Sequence, residues 1–177
     1  MSSDPAARKL AERIRDVPDF PKPGILFKDI TPVLEDPELL RSACELLARP
    51  FAGRDIELVV GIESRGFIFG APVALALGAG FGIARKLGKL PWQTRRESYD
   101  LEYGQADIEM HQDSVRPGQR VLIIDDVIAT GGTAAATARL VRALGGHVVA
   151  ATFLIELAVL EGRKALDGVP VESVLRF

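Results

Sequence analysis

The sequence predicts an α/β fold in which helices flank a central, mainly parallel sheet, and two observations support this class. Short, nearly continuous apolar runs alternate with helical patterns, as they do where helices cover both faces of a parallel sheet. The chain has 177 residues, a length that suits one domain with a full core and is short for two. We therefore expect a single domain over residues 1–177.

The N-terminal part is predicted to contain two helices separated by a proline-rich loop. Residues 5–16 have apolar residues at helical spacing, and Asp4 and Pro5 suit the cap and the first turn. The prolines that follow fix φ and remove backbone donors, so this stretch predicts an ordered loop with one short strand. Its apolar side chains indicate that the loop packs over another part of the protein. A second helix is expected over residues 37–49.

The rest of the chain alternates between predicted strands and helices. The expected elements are strands at 58–62, 81–85, 120–125, 148–155 and 171–176, and helices at 66–77, 132–144 and 157–166. The polar interval 86–119 interrupts this series. Loops of that length in a compact domain are usually lids or binding loops, and part of this one can form a hairpin.

Composition and charge predict a cytoplasmic protein that binds neither nucleic acid nor membrane. The formal net charge is −2, so nothing draws the whole molecule to a polyanion. The first ten residues are polar and charged, unlike a signal peptide, and no stretch is apolar enough to cross a bilayer. The single cysteine, Cys44, cannot form an internal disulfide, and its apolar neighbours favour a core residue over a nucleophile.

A candidate ligand site lies in VLIIDDVIATGGT, residues 121–133. Ligands of parallel α/β sheets bind beyond the carboxyl ends of the strands, where Asp125 and Asp126 are expected. The glycine pair that follows opens a helix, whose free N–H groups and dipole suit a phosphate, and Thr130 and Thr133 add hydroxyl groups. The two carboxylates would repel a bare polyphosphate but can accept hydrogen bonds from sugar hydroxyls. This segment therefore predicts a sugar phosphate as the ligand.

Two other interpretations of this segment are weaker. A nucleotide-binding P-loop needs a lysine after its glycines, and this segment has none. A solvated turn with a helix cap would explain an isolated pair of aspartates. The apolar run before the pair and the threonines and glycines after it favour the ligand site.

Five segments in the same order resemble the type I phosphoribosyltransferase family, and in particular its adenine-specific members. They are RIRDVPDFPKPGILFKDITPVLEDP, VVGIESRGFIFG, RKLGKLP, SYDLEYG and VLIIDDVIATGGT, and the resemblance covers about residues 10–170. It implies the family fold, with a small N-terminal hood over about 1–35 and a flexible catalytic loop over about 86–119. It also implies a pentosyltransferase of purine salvage that converts adenine and 5-phosphoribosyl 1-pyrophosphate (PRPP) to AMP and pyrophosphate. Mg²⁺ arriving with PRPP and a homodimer are further implications.

The resemblance assigns two groups of residues to the sugar donor. The ribose 5-phosphate group comprises Asp125, Asp126, Ala129, Thr130, Gly131, Gly132 and Thr133. The pyrophosphate group comprises Glu63, Ser64, Arg65, Arg85, Lys86 and Lys89. In the family the Glu63–Ser64 peptide bond is often cis, and Arg65 is a catalytic clamp on pyrophosphate that often acts from the neighbouring subunit.

The base and the proton transfer are assigned in the same way. The residues expected to hold adenine are Leu26, Phe27, Lys28 and Leu157, with Phe27 stacking on the ring and backbone groups of Leu26 and Lys28 reading its edge. Glu102, in the mobile loop, matches the acid/base of the adenine enzymes. Members that use 6-oxopurines usually carry Asp at the position of Ala129, so a 6-oxopurine or xanthine transferase is a weaker alternative.

A regulator that uses the same fold as a ligand sensor is the alternative from another class of protein. Such a protein normally carries a nucleic-acid-binding element, and the sequence has neither a spare helix-turn-helix segment nor a basic face.

Arg95 and Arg96 depart from the more neutral residues expected in the family's loop.

Overall fold

A seven-stranded sheet is the centre of this computed structural model, which describes residues 4–100 and 104–177. In chain order its elements are α1 (Pro5–Arg13), β1 (Arg15–Pro18), β2 (Leu26–Asp29), α2 (Thr31–Leu34), α3 (Pro37–Ala48), β3 (Leu58–Ile62), α4 (Gly66–Leu77), β4 (Gly80–Lys86), β5 (Thr94–Asp100), β6 (Gln105–His111), β7 (Arg120–Ile128), α5 (Gly132–Ala143), β8 (His147–Glu156) and β9 (Val171–Arg176). The strand order is β5-β6-β4-β3-β7-β8-β9. The last five strands in that order are parallel, and β5 and β6 form an antiparallel hairpin beside β4, which confirms the predicted α/β class and the hairpin.

The predicted helices and strands of the parallel sheet are confirmed, with two corrections. β7 continues to Ile128, because it pairs with β8 as far as Glu156, whereas its pairing with β3 ends at Ile124. The sequence predicted that this strand ends at Asp125, whereas both aspartates lie within β7, past the point where its pairing with β3 ends. The predicted helix at 157–166 is two short 3₁₀ turns, because Glu161 between them has a left-handed φ of 51°.

The proline-rich segment forms a small two-stranded sheet, where the sequence predicted a loop with one short strand. β1 and β2 pair in antiparallel register, with Val17 opposite Phe27. Pro21 and Pro23 fall in the turn between the strands, so their missing N–H groups do not interrupt the ladder. We call residues 15–29 the hood, because this sheet lies over the carboxyl end of the main sheet.

Apolar packing covers both faces of the main sheet. One face packs against α1, α3 and α4, with Leu10 and Phe69 fully buried, and the other packs against α5, with Leu140 fully buried. Cys44 packs against the first core, and burial raises the pKa of its thiol, as expected for a core residue. Within residues 4–100 and 104–177, no helix combines the length and the apolar character that crossing a membrane requires.

Candidate active site

A cleft of about 440 Å³ lies between the hood and the carboxyl ends of β3 and β7. Its walls come from five separate segments of the chain. The lining residues are Ile25, Leu26, Phe27, Lys28, Glu63, Ser64, Arg65, Lys86, Asp125, Asp126, Val127, Ala129 and Leu157. The structure thus brings residues from the predicted sugar, pyrophosphate and base groups together around one cavity of a size that suits a small ligand.

The two aspartates on β7 have different surroundings. Burial, and then the neighbouring negative charge of Asp126, raises the pKa of Asp125 well above its ordinary value. Asp125 Oδ1 accepts a hydrogen bond of 2.9 Å from the backbone N–H of Asp126. Asp126 is only 4% exposed, and its Oδ2 lies 2.6 Å from Arg65 Nε in an ion pair. This oxygen is itself buried, and the Arg65 guanidinium faces it.

A smaller cavity of about 100 Å³ shares Asp125, Val127 and Ala129 with the cleft and is lined mainly by the turn between β7 and α5. We call residues 129–133 the cradle. Gly131 precedes α5 with a left-handed φ of 81°, and no described side chain caps the first N–H groups of that helix. A Cβ atom at Gly131 would collide with the carbonyl oxygen of Gly162, so only glycine fits there. The N–H groups that begin α5 can therefore bind an anion.

The turn after β3 holds three of the predicted pyrophosphate residues, Glu63, Ser64 and Arg65, and its Glu63–Ser64 peptide bond is cis, as the family resemblance implies. The Glu63 carboxylate accepts a hydrogen bond of 3.0 Å from the N–H of Lys86 and pairs with Arg85 at 3.3 Å. Although burial opposes the change, these bonds lower the pKa of Glu63. Arg85 also donates to the Lys89 carbonyl at 2.9 Å. Arg85 and Lys89 are absent from the described lining of the cleft, whereas Lys86 belongs to it.

The hood supplies the apolar side of the cleft. The Phe27 ring packs edge-on against Phe20, with their centroids 5.1 Å apart, and the Arg65 guanidinium lies 5.3 Å from the Phe27 centroid. Lys28 also lines the cleft, and its Nζ donates a hydrogen bond of 2.6 Å to Asp16 within the hood. Leu157 also lines the cleft.

Two lining residues, Ile25 and Val127, were missed in the prediction from sequence. Ile25 precedes the predicted base-binding residues, and Val127 follows the aspartate pair. Their positions beside predicted residues were the available signal, but the orientation of each side chain depends on how the hood meets β7.

Glu102, the predicted acid/base, lies outside the described residues. The hairpin that leads to it is attached to α5 by arginine contacts. Arg139 donates to the Glu97 side chain at 3.1 Å and to the Ser98 carbonyl at 3.0 Å. Arg95, one of the two departures from the family pattern, donates to the Ala143 carbonyl at 3.2 Å, at the end of α5.

Comparisons with known proteins agree on one family. Residues 33–174 match the phosphoribosyl transferase domain. An adenine phosphoribosyltransferase from Thermobifida fusca is 56% identical over 161 residues, which cover 91% of this chain and 92% of that protein. The crystal structure of an adenine phosphoribosyltransferase from Rhodothermus marinus is 62% identical, with a TM-score of 0.93 over 97% of this chain and 98% of that one.

A more distant solved structure contains ligands. The adenine phosphoribosyltransferase of Saccharomyces cerevisiae, in complex with D-2,5-dideoxy-2,5-imino-altritol 1,6-bisphosphate and adenine, is 39% identical to this chain. The match covers 96% of this chain and 98% of that one, with a TM-score of 0.91.

Proposed function

The chain belongs to the adenine phosphoribosyltransferase family, and from that premise we propose how its cleft carries out the reaction. The enzyme transfers the 5-phosphoribosyl group of PRPP to adenine, which gives AMP and pyrophosphate in purine salvage. We place this reaction in a single domain, in which residues 1–35 are the N-terminal segment that contains the hood and residues 86–119 are the catalytic loop. A bond from the ribose C1 to pyrophosphate breaks, and a bond from C1 to adenine N9 forms.

The cradle binds the 5-phosphate, and the aspartates bind the ribose. The N–H groups at the start of α5, with Thr130 and Thr133, surround a cavity that suits a phosphate. Asp126 lines the cleft, so its carboxylate can accept a hydrogen bond from a ribose hydroxyl. Asp125 accepts from a second hydroxyl. This pairing of an anion site with acceptors matches the two ends of a ribose phosphate.

Arg65 and Lys86 bind the pyrophosphate. Both line the cleft beside the turn after β3, and two cations there favour the charge that builds on the leaving group. Arg85 and Lys89 support the same turn and add positive charge from behind it. Mg²⁺ bound to the diphosphate would further neutralise the leaving group, and we expect it to arrive with PRPP.

Adenine binds between the hood and Leu157. Phe27 offers a ring face, Leu157 offers an apolar surface, and the backbone of Leu26 and Lys28 can read the base edge. Glu102 accepts the N7 proton as N9 attacks and returns a proton in the reverse reaction. Ala129 has no carboxylate to do so, which separates this site from that of the 6-oxopurine enzymes.

The protein works as a homodimer in the cytoplasm. Helix α4 is apolar on every side, with the sequence GFIFGAPVALAL. Phe69 and Val73 are fully buried in this chain, while Leu75 is 83% exposed and Ile68 40%. A helix that is apolar all round is usually buried, so its outer side suits a second copy of the chain. Sedimentation of wild type against Leu75→Glu tests this: a dimer that the variant turns into a monomer is expected.

The observation that carries the assignment is that one cleft joins Asp126, Arg65 and Phe27, which come from three distant parts of the sequence. The test is turnover of adenine, hypoxanthine and guanine with PRPP. Adenine should give by far the highest kcat/KM, because a site built for a 6-amino group leaves a polar group unpaired against a 6-oxo group. Comparable kcat/KM for hypoxanthine would refute the adenine site, and binding without turnover would favour the ligand-sensor alternative.

A further inference from the structure

A buried carboxylate at the end of β8 is held by an arginine that the reaction scheme does not use. Glu156 is 2% exposed and receives two hydrogen bonds of 2.7 Å from Arg163, one from Nε and one from Nη2. Ser173 on β9 donates to the same carboxylate at 2.6 Å. Arg163 Nη1 donates in addition to the Val171 carbonyl. One guanidinium therefore fastens the 3₁₀ turn Gly162–Ala165 to the last two strands of the sheet.

That 3₁₀ turn is the support on which the cradle packs. A Cβ atom at Gly162 would collide with the Ala129 carbonyl oxygen and lie 3.0 Å from the Gly131 N. A Cβ atom at Gly131 would meet the Gly162 carbonyl and lie 3.0 Å from Ala165 Cβ. The two backbones are thus in contact with no side chain between them, so a shift of the turn moves the cradle with it.

The base side of the cleft does not depend on this turn in the same way. Leu157 follows Glu156 directly, but its N–H bonds the Ile128 carbonyl at 3.0 Å, which continues the pairing of β7 with β8. Sheet hydrogen bonds therefore hold Leu157, whereas Arg163 holds the turn beneath the cradle.

We propose that Arg163 is a positioning residue for the phosphoribosyl donor. Its bidentate ion pair with Glu156 holds the Gly162–Ala165 turn against the cradle and so sets the position of the 5-phosphate site. This role rests on the proposed function of the cradle. A guanidinium matches a carboxylate with two parallel bonds in one plane, which fixes orientation, whereas an ammonium binds as a point charge.

A purely stabilising role would not need this arrangement. Apolar residues of similar volume often replace a buried ion pair without loss of stability, because removal of both charges from water is costly. The hydrogen bonds from Arg163 lower the pKa of Glu156 despite the opposing effect of burial, so the carboxylate stays charged at neutral pH and keeps the pair intact. A directional, ionised contact therefore supports the Gly162–Ala165 turn on which the cradle packs.

The test is steady-state kinetics of Arg163→Lys, Arg163→Met and the double variant Glu156→Gln/Arg163→Met, with melting temperatures measured alongside. The double variant leaves no unpaired buried charge, so it separates folding from positioning. We expect the KM for PRPP to rise about 10- to 100-fold in the Met variants and less in Arg163→Lys, because a small displacement of a binding group has effects of that size. The KM for adenine should change little.

The matched control is Lys164→Met, in the same turn. Lys164 pairs with Glu161, and the two side chains are 75% and 61% exposed. This variant should leave both KM values unchanged.

A folded double variant with wild-type KM for PRPP would overturn the positioning role and leave Arg163 with a part in stability only. Arg163→Lys, which keeps the charge, decides the question in the same way if the other variants do not fold. Equal rises in the KM for PRPP and adenine would also refute it. Wild-type protein with no turnover would refute the proposed function itself, which is a distinguishable outcome.

Discussion

The two halves of the cleft are built in different ways. The sugar-phosphate half, residues 125–133, continues a strand whose preceding residues Ile123 and Ile124 are fully buried, and it packs backbone to backbone on the Gly162–Ala165 turn. The base half is formed mainly by the hood, in which Leu26 is 49% exposed and Phe20 is 51% exposed. The first half is part of the core, and the hood is an exposed layer in which Phe27 contacts Phe20 and the Arg65 guanidinium. Changes in the first half should therefore alter folding and binding together, whereas changes in the second should alter binding alone.

The largest expected effect concerns neither binding half. Glu102→Leu should lower kcat about 10²- to 10⁴-fold with little change in donor affinity, because general acid–base catalysis supplies a factor of that size and the donor's contacts lie on the cradle and β7. Glu102→Gln should be nearly as slow, since the amide keeps the shape but cannot exchange the proton. Single-turnover formation of AMP at saturating substrates measures this. A Glu102→Leu rate within a factor of a few of wild type would show that this carboxylate takes no part in proton transfer.

A smaller effect is expected from the ribose contact in the core half. Asp126→Asn should weaken PRPP binding about 10- to 150-fold, because a hydrogen bond to a charged acceptor contributes roughly 1.5–3 kcal/mol. Isothermal titration with PRPP measures the affinity, and Asp113→Asn, an exposed aspartate distant in sequence from the cradle, is the control. Unchanged affinity in Asp126→Asn would show that the Asp126 carboxylate does not bind the ribose.

The smallest expected effect is a gain in stability. Burial, then the charge of Asp126, raises the pKa of Asp125, so the folded state holds its proton at pH values where the unfolded state has lost it. The free energy of unfolding therefore falls as pH rises from about 3.9 towards the raised pKa. Asp125→Asn removes this loss, and the Asn carbonyl can keep the bond from the Asp126 N–H.

Melting curves of Asp125→Asn and wild type at several pH values measure the difference. The variant should melt a few degrees higher at pH 7, and the difference should shrink as pH falls towards 4. A variant that melts lower than wild type at pH 7 would contradict the cause given for the raised pKa.

The core half could be predicted from the sequence more fully than the hood. The apolar run before Asp125 and the glycines after it are local signals, and β3 and α4 have the predicted bounds for the same reason. The pairing of β1 with β2 was missed because it depends on register between two short segments separated by prolines. The bond between Arg163 and Glu156 was missed as well, because nothing in either residue's local pattern indicates its partner.

The most direct test of the difference between the two halves is a crossed measurement of KM values in Asp126→Asn and Phe27→Leu. Phe27→Leu removes the ring that stacks on the base, a contact worth about 1–3 kcal/mol per base, so the KM for adenine should rise about fivefold or more. Its KM for PRPP and its melting temperature should stay near wild type, while Asp126→Asn should show the reverse pattern in KM. If each variant raised both KM values equally, the cleft would act as one unit, and the separation into a core-built sugar-phosphate half and a hood-built base half would be wrong.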